Sequence, residues 1–114
     1  MNIDELVQAF RNISNDKLLN DLAQYIEVWK SDDRNVKDLE TMVERFFGNT
    51  RLQSEEDHSH AYGLWKVFRD EAIKGIGGMT MNERLYFFGL FERFDTSTTE
   101  EEKHVIYGKL LAKP

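Results

Sequence analysis

Cysteine is absent from the chain, which excludes disulfides, thiolate nucleophiles and cysteine-ligated zinc or iron–sulfur centres. Proline occurs once and glycine seven times, a balance that fits a folded domain better than a linker or disordered tail. No apolar run approaches the roughly eighteen residues of a membrane span. The opening Met1-Asn2-Ile3-Asp4-Glu5 lacks the basic start and apolar stretch of a secretory signal. The expectation is a cytoplasmic protein that does not enter a membrane. Nor does any segment alternate apolar and polar residues for long enough to make a core strand.

What the chain has in quantity is aromatic side chains and acid. Phe 8, Tyr 4 and Trp 2 are a heavy apolar load for 114 residues. A chain of this mass should expose about 6,500 Å² and form one domain, residues 1–114, around one core. Little room remains for a deep cavity, and no cofactor is expected. Net charge is −6 and unevenly spread: residues 1–57 hold 13 acids and 7 bases, residues 58–114 hold 8 of each. Such a field opposes a surface built to grip nucleic-acid phosphates. It suits a basic protein partner, whose encounter it would steer.

Apolar residues recur at helical spacing along the whole chain. Ile3, Leu6, Val7, Phe10 and Ile13 predict a helix over 3–13 behind an Asn2 N-cap. Ser14-Asn15-Asp16 is a polar break. Leu18, Leu19, Leu22, Ile26 and Trp29 predict a second helix over 17–30. Val36 to Phe47 predicts a third, with Gly48-Asn49 as its stop. A fourth is expected over 55–74, opened by Glu55, Glu56 and Asp57, with Gly63 kept inside it for close helix packing. After the flexible Gly75-Ile76-Gly77-Gly78, Thr80 and Glu83 form a capping box before a fifth helix over 81–93, apolar nearly all round and so expected in mid-core. Thr99 and Glu102 form a second box for a sixth helix to Leu111, with Val105, Ile106, Leu110 and Leu111 as its apolar set. The fold class is all-α, a compact bundle of five or six short helices, with Leu22, Phe46, Trp65, Phe68, Leu85 and Phe88 in the core.

Motifs for catalysis are scarce. The glycines at 75–78 follow no strand and precede no Gly-Lys-Ser/Thr, so they read as a hinge and not a phosphate loop. His58 and His60 point apart on a helix and cannot share a metal; His58 is placed to pair with Tyr62 and His60 with Glu56. Glu83, Arg84, Tyr86, Glu92 and Asp95 are the acid–base candidates on the most apolar helix. Capping by Glu83 and Asp95, and pairing of Arg84 with a core-edge carboxylate, account for them without chemistry. The reading is a non-enzyme with no metal site. The candidate partner-binding residues are three acidic groups: Asp32 and Asp33 in a loop, Glu40 and Glu44 one turn apart on a helix, and Glu55, Glu56 and Asp57. Gathered in space they would offer a carboxylate surface to Arg and Lys of a partner; scattered, they are solvated face.

The segment Met79-Thr80-Met81-Asn82-Glu83-Arg84-Leu85-Tyr86-Phe87-Phe88-Gly89-Leu90-Phe91-Glu92-Arg93-Phe94-Asp95, with the helix expected after it, resembles the "MTVNERL…GL…FD" region of small bacterial immunity proteins of contact-dependent growth inhibition and polymorphic toxin systems. Thr80, Asn82, Glu83, Arg84, Leu85, Gly89, Leu90, Phe94 and Asp95 carry the resemblance, which spans about 35 residues of the 114. Phe87-Phe88 and Phe91-Glu92-Arg93 depart from the common pattern. What the resemblance implies is an inhibitor that binds a cognate toxin C-terminal domain stoichiometrically and occludes it, a basic nuclease being the toxin class that suits an acidic inhibitor. The alternatives are a helical adaptor or homodimerisation module without a toxin, or a small acid–base enzyme.

Overall fold

The computed structural model describes residues 1–13 and 15–114; Ser14, in the expected polar break, lies outside them. The molecule is 74% helical, with no strand among the described residues. Its helices are α1 Ile3–Ile13, α2 Lys17–Ser31, α3 Val36–Asn49, α4 Glu55–Phe68, α5 Met81–Phe87, α6 Phe91–Asp95 and α7 Glu100–Lys109. A π-helical turn, Arg69–Ile73, extends α4, and a 3₁₀ turn, Ile76–Gly78, precedes α5.

Side-chain caps set the helix starts. Asn2 and Glu5 exchange backbone and side-chain hydrogen bonds, each 2.9 Å, at the head of α1. Asp16 accepts the Leu18 N–H for α2, Asn35 and Asp38 form a box for α3, and Ser54 accepts the Asp57 N–H for α4. The Thr80/Glu83 box is complete. At α7 only half of the expected box forms: Thr99 accepts the Glu102 N–H, while the Glu102 carboxylate reaches one residue further back, to the Thr98 N–H.

The core runs through the whole bundle as two aromatic groups. Trp29, Phe88, Phe68 and Trp65 form a chain of ring contacts 5.6–5.9 Å between centroids. Phe47 centres the second group, edge-on to Phe10, Phe46, His58 and Tyr62. Leu22, Trp65, Phe68, Leu85 and Phe88 are buried as expected. Phe46 is only half-buried, packed on the outside of Phe47, which takes the interior position.

Four local expectations give way to the tertiary structure. Helix α3 continues through Gly48 and Asn49 and ends in extended backbone at Thr50, which carries Leu52 into the core. Gly63 is exposed, with no atom within 4 Å of where a Cβ would stand, so it serves no close packing. The single helix expected over 81–93 is two helices. Gly89, at φ +64°, ends α5: its N–H reaches Tyr86 O and the Leu90 N–H reaches Leu85 O, with Leu85 and Leu90 both buried beside the turn. That is the pairing of a glycine-terminated helix with its apolar clasp. The segment is apolar on all sides because its two halves bury different faces, leaving Tyr86 and Phe91 49% and 40% exposed. Along α7, Ile106 and Leu110 are buried but Leu111 is exposed, and the third buried residue of that face is Lys109.

Phe88→Ala should lower stability by about 3–5 kcal/mol, because a fully buried ring between Trp29 and Phe68 is removed. Gly89→Ala should cost about 1–2 kcal/mol from its left-handed backbone, and its Cβ would meet the Asp4 carboxylate at 2.6 Å. Urea unfolding midpoints check both; an unchanged midpoint for Gly89→Ala would contradict the turn.

Candidate functional site

Each acidic group named from the sequence occupies its own place along α3 and the start of α4. Asp32 and Asp33 follow the C-terminal end of α2. Glu44 lies about 13 Å along α3 from Asn35 by helical rise. Glu55, Glu56 and Asp57 form the first turn of α4, beyond the far end of α3. They belong to three successive stretches of the chain: the α2–α3 loop, α3 and the head of α4.

Asp32 belongs to an internal cluster. Lys109 is 1% exposed. Its three N–H donors are shared among four oxygens: Trp29 O, Asp32 O at 2.9 Å, Asp32 Oδ1 at 3.0 Å and Arg34 O at 2.8 Å. It also stands 3.8 Å over the Trp29 ring. Arg93 donates to Lys30 O at 2.8 Å and Asp32 O at 2.9 Å, and its other nitrogen lies 3.7 Å from Asp33 Oδ1. Two cations from the last third of the chain thus satisfy the open carbonyls at the end of α2 and meet its dipole. Burial pushes the Lys109 ammonium down to about 8, with Asp32 working against it. Burial pushes the Asp32 carboxyl up, but hydrogen bonds from Arg34 and Lys109 outweigh it and hold it below its ordinary value.

Glu44 belongs to a second cluster. It accepts from Trp65 Nε1 at 3.0 Å, Tyr62 OH at 3.2 Å and Arg69 Nη1. Burial raises its carboxyl, and these three donors bring it below the ordinary range. The Arg69 guanidinium is raised in turn, first by its bond to Glu44, and it also holds Asp70 at 3.1 Å. Glu40 lies 3.9 Å from Lys37. Glu55, Glu56 and Asp57 have no hydrogen-bond or ion-pair partner for their carboxylates among the described residues.

The Glu44 cluster closes one end of an open groove between α3 and α4, of about 460 Å³, whose other lining residues are Phe47, Gly48, Arg51, His58, Ser59, Tyr62 and Gly63. His58 is buried, but it turns Nδ1 to the Leu52 N–H at 3.4 Å and not to Tyr62, whose hydroxyl serves Glu44. Among the described residues no three His, Asp or Glu side chains are grouped to hold a metal ion, and no described helix is long and apolar enough to cross a membrane.

The segment that carried the family resemblance does structural work. Thr80 and Glu83 cap α5, Leu85 and Leu90 clasp its end at Gly89, and Phe94 stacks edge-on against Tyr107 at 5.8 Å. Arg84 binds no carboxylate: it donates to Met79 O, Leu110 O and Leu111 O, closing the C-terminal end of α7. No protein family, curated protein or solved structure was found to match the chain.

Sequence reasoning missed Lys109 and Arg69. Lys109 had a signal: it shares a helical row with Ile106 and neighbours Leu110, an apolar face interrupted by one cation. Lys109→Met should cost about 3–5 kcal/mol, since Asp32 and three carbonyls lose a buried donor. The pH dependence has a definite sign. Between about 8 and 10.5 the folded chain holds Lys109 neutral while the unfolded chain keeps its proton. The unfolded state then binds more protons, and stability rises with pH across that window. The wild-type midpoint should therefore climb relative to Lys109→Met between those limits, measured by urea unfolding at each pH. A constant difference would contradict the burial of the ammonium.

Proposed function

We propose that this chain is an immunity protein, which binds a basic toxin domain one-to-one in the cytoplasm of the producing cell and blocks it by occlusion. The observation that carries the reading is the acidic first turn of α4. Glu55 and Glu56 are exposed, Asp57 is half-buried, and none of the three carboxylates has a cation or donor within the described chain. The α4 dipole favours them, and they remain free to meet Arg or Lys of a partner. Asp33 is also exposed, and among the described residues its carboxylate meets only the long contact to Arg93. Asp32 and Glu44, by contrast, are committed to internal bonds, so their contribution is to shape the surface. The resemblance of residues 79–95 to immunity proteins points the same way.

Rim carboxylates act mainly on encounter rate, and salt screens them beyond roughly 8 Å at physiological strength. Glu55→Gln/Glu56→Gln/Asp57→Asn should slow association with the toxin encoded beside this chain about tenfold at low salt. The difference should shrink in high salt, and the fold should be kept. Surface-immobilised binding kinetics from low to high salt check this. Equal rates would place toxin binding elsewhere; no binding by wild type would remove the immunity reading.

A second reading has its own observation: Tyr86 and Phe91 stand half-exposed on α5 and α6. An adaptor that dimerises through them would sediment as a dimer, and Tyr86→Ser/Phe91→Ser would return it to a monomer.

A further inference from the structure

We infer that the solvent-facing side of α4 docks against the same helix of a second copy of this chain, antiparallel about a two-fold axis, and this stands apart from the toxin reading. Glu55, Ser59, Gly63 and Lys66 recur at helical spacing along one side of α4. All four are exposed, and Val67 beside them is 60% exposed. Gly63 stands within this face with no atom within 4 Å of where a Cβ would stand and without positive φ. A glycine inside a helix is unfavourable against alanine, and neither the packing nor the backbone angle calls for one here. The missing side chain lets a second backbone come close.

The charges on the face decide what covers it. Glu55 and Lys66 lie on one row, about three turns and 16 Å apart by helical rise. Neither side chain has an ion-pair or hydrogen-bond partner among the described residues. A uniformly basic surface would suit Glu55 and repel Lys66, and a uniformly acidic one the reverse. An antiparallel copy of α4 suits both. With the axis between His60 and Ala61, Glu55 of each copy comes level with Lys66 of the other, so two identical ion pairs form, as an isologous contact requires. Ser59 and Gly63 flank the crossing, and the two helix dipoles run opposite to one another.

Contact along about four turns of one helix belongs with the small, reversible interfaces, below roughly 1,200 Å². The −6 charge on each copy also opposes long-range approach. The dimer is therefore one that forms with rising concentration. Asp57 lies about 200° round α4 from Glu55 and stays outside the seam, so acidic charge remains for another partner.

The test is sedimentation equilibrium of the full chain from about 1 to 500 µM, where a monomer–dimer equilibrium is expected. Glu55→Lys and Lys66→Glu each set like charges across the seam and should raise the dimer dissociation constant about tenfold. Lys66→Gln, a milder change for the helix, should raise it about threefold. Glu55→Lys/Lys66→Glu restores opposite charges in reversed order and should return the constant to within about threefold of wild type. Both reversals oppose the α4 dipole, so recovery by the double variant reports the seam and not the stability of the monomer. Circular dichroism of each variant checks its helix content. A monomer at every concentration, a dimer indifferent to the single changes, or a loss that the double variant does not recover would each overturn the proposal. So would a dimer that Tyr86→Ser/Phe91→Ser dissociates, because the contact would then lie on α5 and α6. No toxin is added, so the outcome is separate from that of the immunity reading.

Discussion

A helix that ends inside a small protein leaves carbonyl oxygens pointing where water is scarce, and the end of α2 is such a place. The carbonyls of Trp29, Lys30, Asp32 and Arg34 converge there, and the ammonium of Lys109 and the guanidinium of Arg93 arrive from α7 and α6 to meet them. Taking an ammonium out of water is costly, and only several oxygens together with the Trp29 face and the Asp32 carboxylate offset it. The position of the last third of the chain depends on this junction. Apolar contact alone would let α7 slide along the core; a point charge among fixed carbonyls admits one placement.

The same device recurs where α7 itself ends. Arg84 reaches Leu110 O and Leu111 O from α5, so the two short helices and α7 are tied by cations on carbonyls as well as by packing. The residue choice of the 79–95 segment has a physical meaning in this light. Its Thr, Glu, Arg and Gly cap, clasp and turn, and its apolar residues fill the core. A segment so occupied describes how the C-terminal third is built and says little of the rest of the chain.

That rest divides by charge. The carboxylates deepest in polar clusters, Asp32 and Glu44, are held below their ordinary values by the cations and donors around them, and so they are structural anions. Those at the head of α4 have the helix dipole and solvent for company, which leaves their charge available at longer range. Beside them lies the α3–α4 groove, lined by Phe47, Tyr62 and two glycines. Steering charge and a shaped recess are different resources, one acting on encounter and one on fit.

Much of the fold was legible in the residues alone. The 3.6-residue apolar period, the Asn2, Asp16 and Thr80 caps and the lack of alternating stretches determine an all-helical chain with most helix limits in place, because these are local interactions within a turn or two. The break at Gly89 had a local signal too, glycine followed by an apolar residue, but uniform hydrophobicity across 81–93 masked it. Which acids are free and which are bound could not be read locally. Glu44 looked like Glu40, one turn away on the same helix, until Arg69 arrived from 25 positions on. Lys109 looked like solvent-facing charge until α2 ended beneath it. Tertiary structure decided these, because the partner of a buried charge is fixed by which helix ends pack together and not by its sequence neighbours.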